Sequence, residues 1–107
     1  VSSLKPIFRR PKAAEDVEQH AMYIADGSID AALRFLERTE QTIKGLALFP
    51  ASGAPFPSRV PELEGLRTKL VKDFPSHVVF YIEREETIEV IRVLRGGQEM
   101  SIELEKN

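Results

Sequence analysis

A chain of 107 residues, 42% hydrophobic and 30% charged, has the size and composition of one globular domain with a single core, which excludes a fibrous or wholly disordered polypeptide. It contains no cysteine, and its longest purely apolar run is Val78 to Ile82; this rules out disulfides and thiolate metal sites and is far short of the ~20 residues of a membrane helix. Its 15 basic and 17 acidic side chains leave a net charge of −2, whereas binding driven by phosphate charge wants a basic excess, so no direct nucleic-acid binding is expected.

In chain order, Leu4, Ile7 and Phe8 predict a short strand running straight into a helix, with Pro11 at the first helical position, where its missing N–H costs nothing. Ala14, Val17, Ala21 and Ile24 draw one apolar stripe along that helix. Asp26-Gly27-Ser28 should stop it, with Gly27 taking the left-handed conformation and Ser28 capping a second helix. That helix, from about Asp30 to Phe49, places Ala32, Phe35, Leu36, Thr39, Ile43 and Leu46 on one side. So short a connection implies an antiparallel helical hairpin. Residues 50–65 hold four prolines and two glycines and predict an irregular but stiff connection. From Leu66 the period changes to two: "LRTKLVK", "HVVFYIE" and "TIEVIRVLR" each fit a strand, separated by "DFPS" and "REE". "QEMSIELEKN" closes the chain as a short polar turn or frayed helix. The expected fold is α+β, a single domain over 1–107 in the order β-α-α-β-β-β, with the hairpin packed on a small, mainly antiparallel sheet.

Val78 to Ile82, and Val90-Ile91 with Val93-Leu94, are apolar on both faces of their strands, so both faces of the sheet require cover. The hairpin covers one, and the polar tail is a poor cover for the other. Two readings stand open: an obligate protein partner covers the second face, or the Pro-rich loop folds back over it through Phe56 and Leu63. Arg67 and Lys69 share one face of their strand, Arg92 is in phase with Val90 and Leu94, and Arg95 follows. These four cations are the candidates to meet acidic or phosphate groups on a partner. Their alternative is to pair with Glu83, Glu89 or Glu99, or to lay their stems over apolar neighbours.

The groups of catalysis and metal binding are sparse. His20 lies among Val17, Ala21 and Ile24, and His77 opens a strand after Pro75-Ser76; neither has a second ligand near it in sequence, so a boundary or turn position is expected for each. Tyr23 reads as a helix-edge residue and Tyr81 as a packed strand residue. Gly96-Gly97 follows a strand but does not open a long helix, so it is not a phosphate loop. No catalytic, cofactor-binding or metal-binding residue is assigned, and no cofactor is expected.

In order and spacing, "RFLERTEQTIKGLALFPASG" (Arg34 to Gly53), "GLR" (Gly65 to Arg67), "VVFYI" (Val78 to Ile82) and "IEVIRVLRGG" (Ile88 to Gly97) resemble the ParE toxins of the RelE/ParE superfamily of bacterial toxin–antitoxin modules. The resemblance covers nearly the whole chain. It implies a cognate ParD-like antitoxin that wraps the toxin through its C-terminal segment in a hetero-oligomer such as a heterotetramer. It also implies poisoning of DNA gyrase without known enzymatic activity and a link to plasmid stabilisation, while the absence of cysteine, which fits a reducing compartment, makes the cytoplasm the expected location. Two positions depart from the pattern: Arg10 stands where members often carry a small hydroxyl residue before the helix proline, and Arg95 where many carry a histidine before the final glycine. The first weakens a helix cap; the second leaves the family histidine's role without a carrier. The RelE branch instead cuts mRNA on the ribosome, and that reading would set Arg67 and Arg92 on the phosphate with His77 or Lys69 assisting proton transfer. RelE-like nucleases resemble one another in a basic surface and often a C-terminal tyrosine or histidine, and "QEMSIELEKN" has neither.

Overall fold

The computed structural model describes residues 4–97 and 100–106, together with the backbone but not the side chain of Ile102. Strand β1 (Ile7–Arg9) leads into helix α1 (Pro11–Gly27) and helix α2 (Ile29–Leu48). A short strand β2 (Ala54–Pro55) lies between two single 3-10 turns, Pro50–Ser52 and Pro61–Leu63, and is followed by β3 (Arg67–Val71), β4 (Phe74–Glu83), β5 (Ile88–Arg95) and helix α3 (Met100–Glu105). The sheet runs in the order β1-β5-β4-β3-β2. Among the described residues only the β1–β5 pair is parallel, in register Ile7 with Ile88, so the α+β, mainly antiparallel architecture read from the sequence is the one observed. Among the described residues no helix is long and apolar enough to cross a membrane.

Local chemistry explains most of the element ends. Pro11 opens α1, and Arg10 before it makes no side-chain cap, as its sequence suggests. The two helices are joined by one extended residue: the Ser28 N–H donates to Ile24 O, closing α1, while its hydroxyl accepts from Ala31 N at 3.1 Å and caps α2. Gly27 therefore stays helical instead of turning left-handed, because Ser28 serves both helix ends by itself. The β3–β4 link is also tighter than expected. It is the pair Lys72-Asp73, with Asp73 at φ 66°, and Phe74 to Ser76 join β4.

One face of the sheet packs on the hairpin, where Val17, Phe35, Ile43 and Leu46 meet Val79, Tyr81, Val90 and Val93. The other face is closed from within the chain. Leu63 and Leu66, with Phe56 and Val60, fold over Phe80, Ile82, Ile91 and Leu94, and Leu104 of α3 completes the cover with Met100. The expectation that a partner protein covers this face is thereby overturned, and the lid reading holds with one addition. The tail looks polar, but Met100 and Leu104 are spaced by four and form one short apolar stripe.

The lid is anchored by Tyr81, whose hydroxyl donates to Pro50 O at 2.7 Å and accepts from Gly53 N at 2.9 Å. Arg67 adds a hydrogen bond to Gly53 O at 2.7 Å. Both residues stand on paired strands, so the start of the lid is tied to the sheet.

Candidate functional site

The four cations singled out in the sequence do not converge. Arg67 spends its guanidinium on the carbonyls of Gly53 and Ala51. Arg95 lies over the ring of Tyr23, with its guanidinium carbon 5.1 Å from the ring centroid, a cation–π contact between β5 and α1. Lys69 is half-buried at the β3 edge and makes no ion pair among the described residues. The carboxylates considered as their partners are used elsewhere: Glu83 pairs with Lys5, and Glu89 takes both Arg10 and Arg84. Burial works against the Glu89 charge, but those two guanidiniums outweigh it and hold its pKa below the usual value. Glu99 lies outside the described residues.

Arg92 is the largest departure from expectation. It is 3% exposed and forms a two-pronged pair with Asp16 of α1, Nε to Oδ2 at 2.7 Å and Nη2 to Oδ1 at 2.9 Å. Its Nη1 donates to Glu103 O at 2.7 Å and Lys106 O at 3.3 Å, which ties down the C-terminal end of α3. A bulge splits the expected set: Tyr81 pairs with Val90 and Phe80 with Arg92, so Ile91 is an extra residue in β5, and Arg92 stays in phase with Leu94 but not with Val90. Val90 accordingly packs on the helix side and Leu94 on the lid side, although a regular strand would put both on one face. Its hydrogen bonds to the Asp16 carboxylate raise the Arg92 pKa further above its ordinary value. This arginine is a structural tie and reaches no surface.

The same stretch of α1 seals the sheet edge that β1 is too short to cover. Asp16 Oδ2 accepts from Val93 N at 3.0 Å, and one turn later His20 Nε2 lies 2.8 Å from Val93 O. A carbonyl can only accept, so His20 carries its proton on Nε2. The fold also brings the two histidines together: their ring centroids are 5.0 Å apart, with Phe35 and Phe74 around His77. No group of three or more His, Cys, Asp or Glu suited to a metal occurs among the described residues. His77 Nδ1 is buried with no hydrogen-bond partner. Desolvation, aided by the nearby His20 and Arg95, lowers its pKa from the ordinary 6.5 to about 4.

A histidine whose folded pKa lies below its unfolded one takes up its proton first in the unfolded chain, so stability falls as pH drops through the window from 6.5 towards 4. Between pH 7.5 and pH 5 the loss from this residue is expected to be about 2 kcal/mol. Urea midpoints at the two pH values read it directly, and a His77→Phe variant should lose most of the difference; an unchanged difference would place the titration elsewhere.

The surface suited to a macromolecule lies on the outer side of the hairpin. There α1 presents the small side chains Ala14, Ala21 and Ala25, and α2 raises Ile29, Leu33 and Leu36 beside them, enclosing with Met22 an open apolar groove of about 560 Å³. Met22, Ile29 and Leu33 are 67%, 68% and 60% exposed, a contiguous patch of the kind that marks a partner site. Its rim is charged: Glu18 stands on α1, while Arg9 pairs with Glu40 at 2.6 Å and through that hydrogen bond lowers the Glu40 pKa. A signal for this groove was present in the sequence. Ile29, Leu33 and Leu36 follow i, i+4, i+7, a second apolar stripe beside the core stripe of α2, and merging Leu36 into the core stripe hides it.

Comparison with known proteins places these features in a family context. A sequence model described as "ParE toxin of type II toxin-antitoxin system, parDE" matches residues 7–100. Among solved structures, a chain of the chromosomal ParDE TA system from P. aeruginosa superposes with a TM-score of 0.70 at 23% identity, over 89% of this chain and 99% of that one. The search of curated proteins returned no match.

Proposed function

The chain belongs to the ParE toxin family, and from that premise we propose that it is a DNA gyrase inhibitor held silent in the cytoplasm by a ParD-like antitoxin seated in the groove between α1 and α2. The observation that carries the antitoxin half is the groove itself. Helix-in-groove recognition needs an apolar trough that takes the apolar face of a partner helix, and Ile29, Leu33 and Leu36 line such a trough. The apolar anchors set affinity there; exposed rim charges such as Glu18 contribute roughly 0–1 kcal/mol each and mainly fix register.

The gyrase half rests on the family. A ribosome-dependent nuclease would need Arg67 and Arg92 free to meet a phosphate. Here Arg67 is spent on the carbonyls of Gly53 and Ala51, and Arg92 on Asp16 and the end of α3. Geometry therefore favours the non-enzymatic reading.

Purified, antitoxin-free protein is expected to inhibit gyrase supercoiling and to trap the cleavage complex; failure of both removes the gyrase assignment. Codon-phased cuts in translating mRNA would install the nuclease in its place. For the groove, Leu33→Glu puts a charge at its centre and should weaken binding of the co-expressed antitoxin by about 100-fold, leaving gyrase inhibition intact. Antitoxin binding that ignores this substitution would move the antitoxin to another surface.

A further inference from the structure

A second surface on α2 has features that the antitoxin groove does not explain. Where α2 passes the edge of β3, Gln41, Thr42, Gly45 and Phe49 face Lys69, Leu70 and Lys72 across a hollow of about 480 Å³. Phe49 is 67% and Leu70 56% exposed, so two large apolar side chains stand in water at its mouth. At ~100° per residue, these helix positions lie on the other side of α2 from Ile29, Leu33 and Leu36, so one partner helix in the groove leaves the hollow open.

Gly45 is the informative residue. It sits inside α2, where glycine is less stable than alanine because its backbone loses more freedom on folding. Yet a Cβ built there meets nothing within 4 Å. Neither packing within the chain nor φ demands a glycine, since its conformation is helical. A helix-interior glycine that faces open space leaves room for another backbone to approach closely.

The walls of the hollow are held in place. Thr42 Oγ1 donates to Arg38 O at 2.8 Å and accepts from Lys72 N at 3.0 Å, and Arg38 pairs with Asp73 at 2.6 Å, joining α2 to the β3–β4 turn. The site is thus preformed, which reduces the ordering cost of binding. Its charge is one-sided: Lys69 and Lys72 line it, no carboxylate does, and neither lysine makes an ion pair among the described residues.

We infer that this hollow, floored by Gly45 and walled by Phe49, Leu70, Lys69 and Lys72, is the surface with which the toxin grips its target, and that it takes an acidic protein segment carrying an apolar anchor. The inference deepens the proposed toxin function and rests on it. The segment's backbone passes over Gly45, its apolar residue packs between Phe49 and Leu70, and its carboxylates meet the two lysines. The antitoxin and the target then occupy different faces of α2.

The test separates the two surfaces. Gly45→Gln, and separately the double variant Lys69→Glu/Lys72→Glu, are produced with the antitoxin and freed from it. Gly45→Gln should melt at or above the parent's temperature, because it removes a helix-interior glycine. Both variants should bind antitoxin within about 3-fold of the parent, while growth arrest on induction and inhibition of purified gyrase fall by at least about 10-fold. Gly45→Ala, which adds one methyl, should lie between. Folded variants that arrest growth as the parent does would overturn the assignment, as would a parent chain that dimerises through this hollow and is made monomeric by Gly45→Gln. If the parent arrests growth but leaves gyrase untouched, the gyrase reading fails, and growth arrest alone judges the hollow. A parent that arrests nothing overturns the toxin reading and this surface with it.

Discussion

Replacing Arg92 by alanine is expected to destabilise the protein by about 3–5 kcal/mol, the range for removing one partner of a buried ion pair. Three losses coincide. Asp16 is left as a carboxylate in a site where both residues are nearly inaccessible, the carbonyls of Glu103 and Lys106 lose a donor, and the aliphatic stem leaves a void beside the β5 bulge. Because the C-terminal end of α3 is tied through those carbonyls, lid-side protection should fall with global stability. Hydrogen exchange should show faster exchange in α3 and in Leu63 to Leu66, and urea denaturation should give the energy. Arg92→Lys should recover little, since an ammonium cannot reproduce the fork that holds both Asp16 oxygens and the Glu103 carbonyl at once. The double variant Asp16→Leu/Arg92→Met should be less destabilised than Arg92→Ala, because it leaves no buried charge without a partner. A variant Arg92→Ala as stable as the parent would mean that this pair is fully compensated by its desolvation cost.

The second large effect is expected at Gly53. An alanine Cβ there would lie 2.5 Å from Tyr81 Oη and 2.6 Å from Thr68 O, contacts that real Cβ atoms do not make. Thr68 O belongs to the β3 backbone and cannot move without disturbing its pairing, so the lid must shift. Overpacking of this kind costs typically about 1–3 kcal/mol, and each Tyr81 hydrogen bond lost from Pro50 O or Gly53 N adds about 1 kcal/mol. Gly53→Ala should therefore cost about 4 kcal/mol in urea denaturation. Tyr81→Phe keeps the ring, removes only the hydroxyl and should cost less, about 1–2 kcal/mol. If the two variants were equally destabilised, the steric account of Gly53 would be wrong and its role would reduce to the hydrogen bonds. Neither change touches the α1/α2 groove, so antitoxin affinity at a temperature where the variants remain folded should be close to the parent's.

The element order was legible because it rests on local rules. Pro11 and Pro50 bound the helical hairpin, Ser28 caps α2, and the change from helical period to period two at Leu66 marks the sheet. The two-faced apolar character of Val78 to Ile82 correctly required cover on both sides. Family membership was legible for a related reason: motif order along a chain survives without knowledge of contacts. The site was less legible, and Arg92 shows why. Its position in β5 was read by counting in twos, and a single extra residue, Ile91, broke the count. Its partner Asp16 lies 76 residues away, a distance over which periodicity carries no information.

What the sequence by itself determined about this protein is therefore the class of fold, the order of the two long helices and the longer strands though not of β2 (Ala54–Pro55), the need to cover both faces of the sheet, and kinship with a toxin family. Only the tertiary structure decided that the cover comes from the lid and α3, that Arg92 among the four candidate cations is a buried tie, and that an apolar groove stays open between α1 and α2. The physical reason is the same in each case. Hydrophobic periodicity records that a side chain wants burial, because that preference is local and additive along an element. It does not record what does the burying, since that depends on which distant segments the closed chain brings together. Met100 and Leu104 look like residues of a polar tail until the lid side of the sheet is seen beneath them, and Leu36 looks like one more core leucine until α1 turns out to face it with alanines.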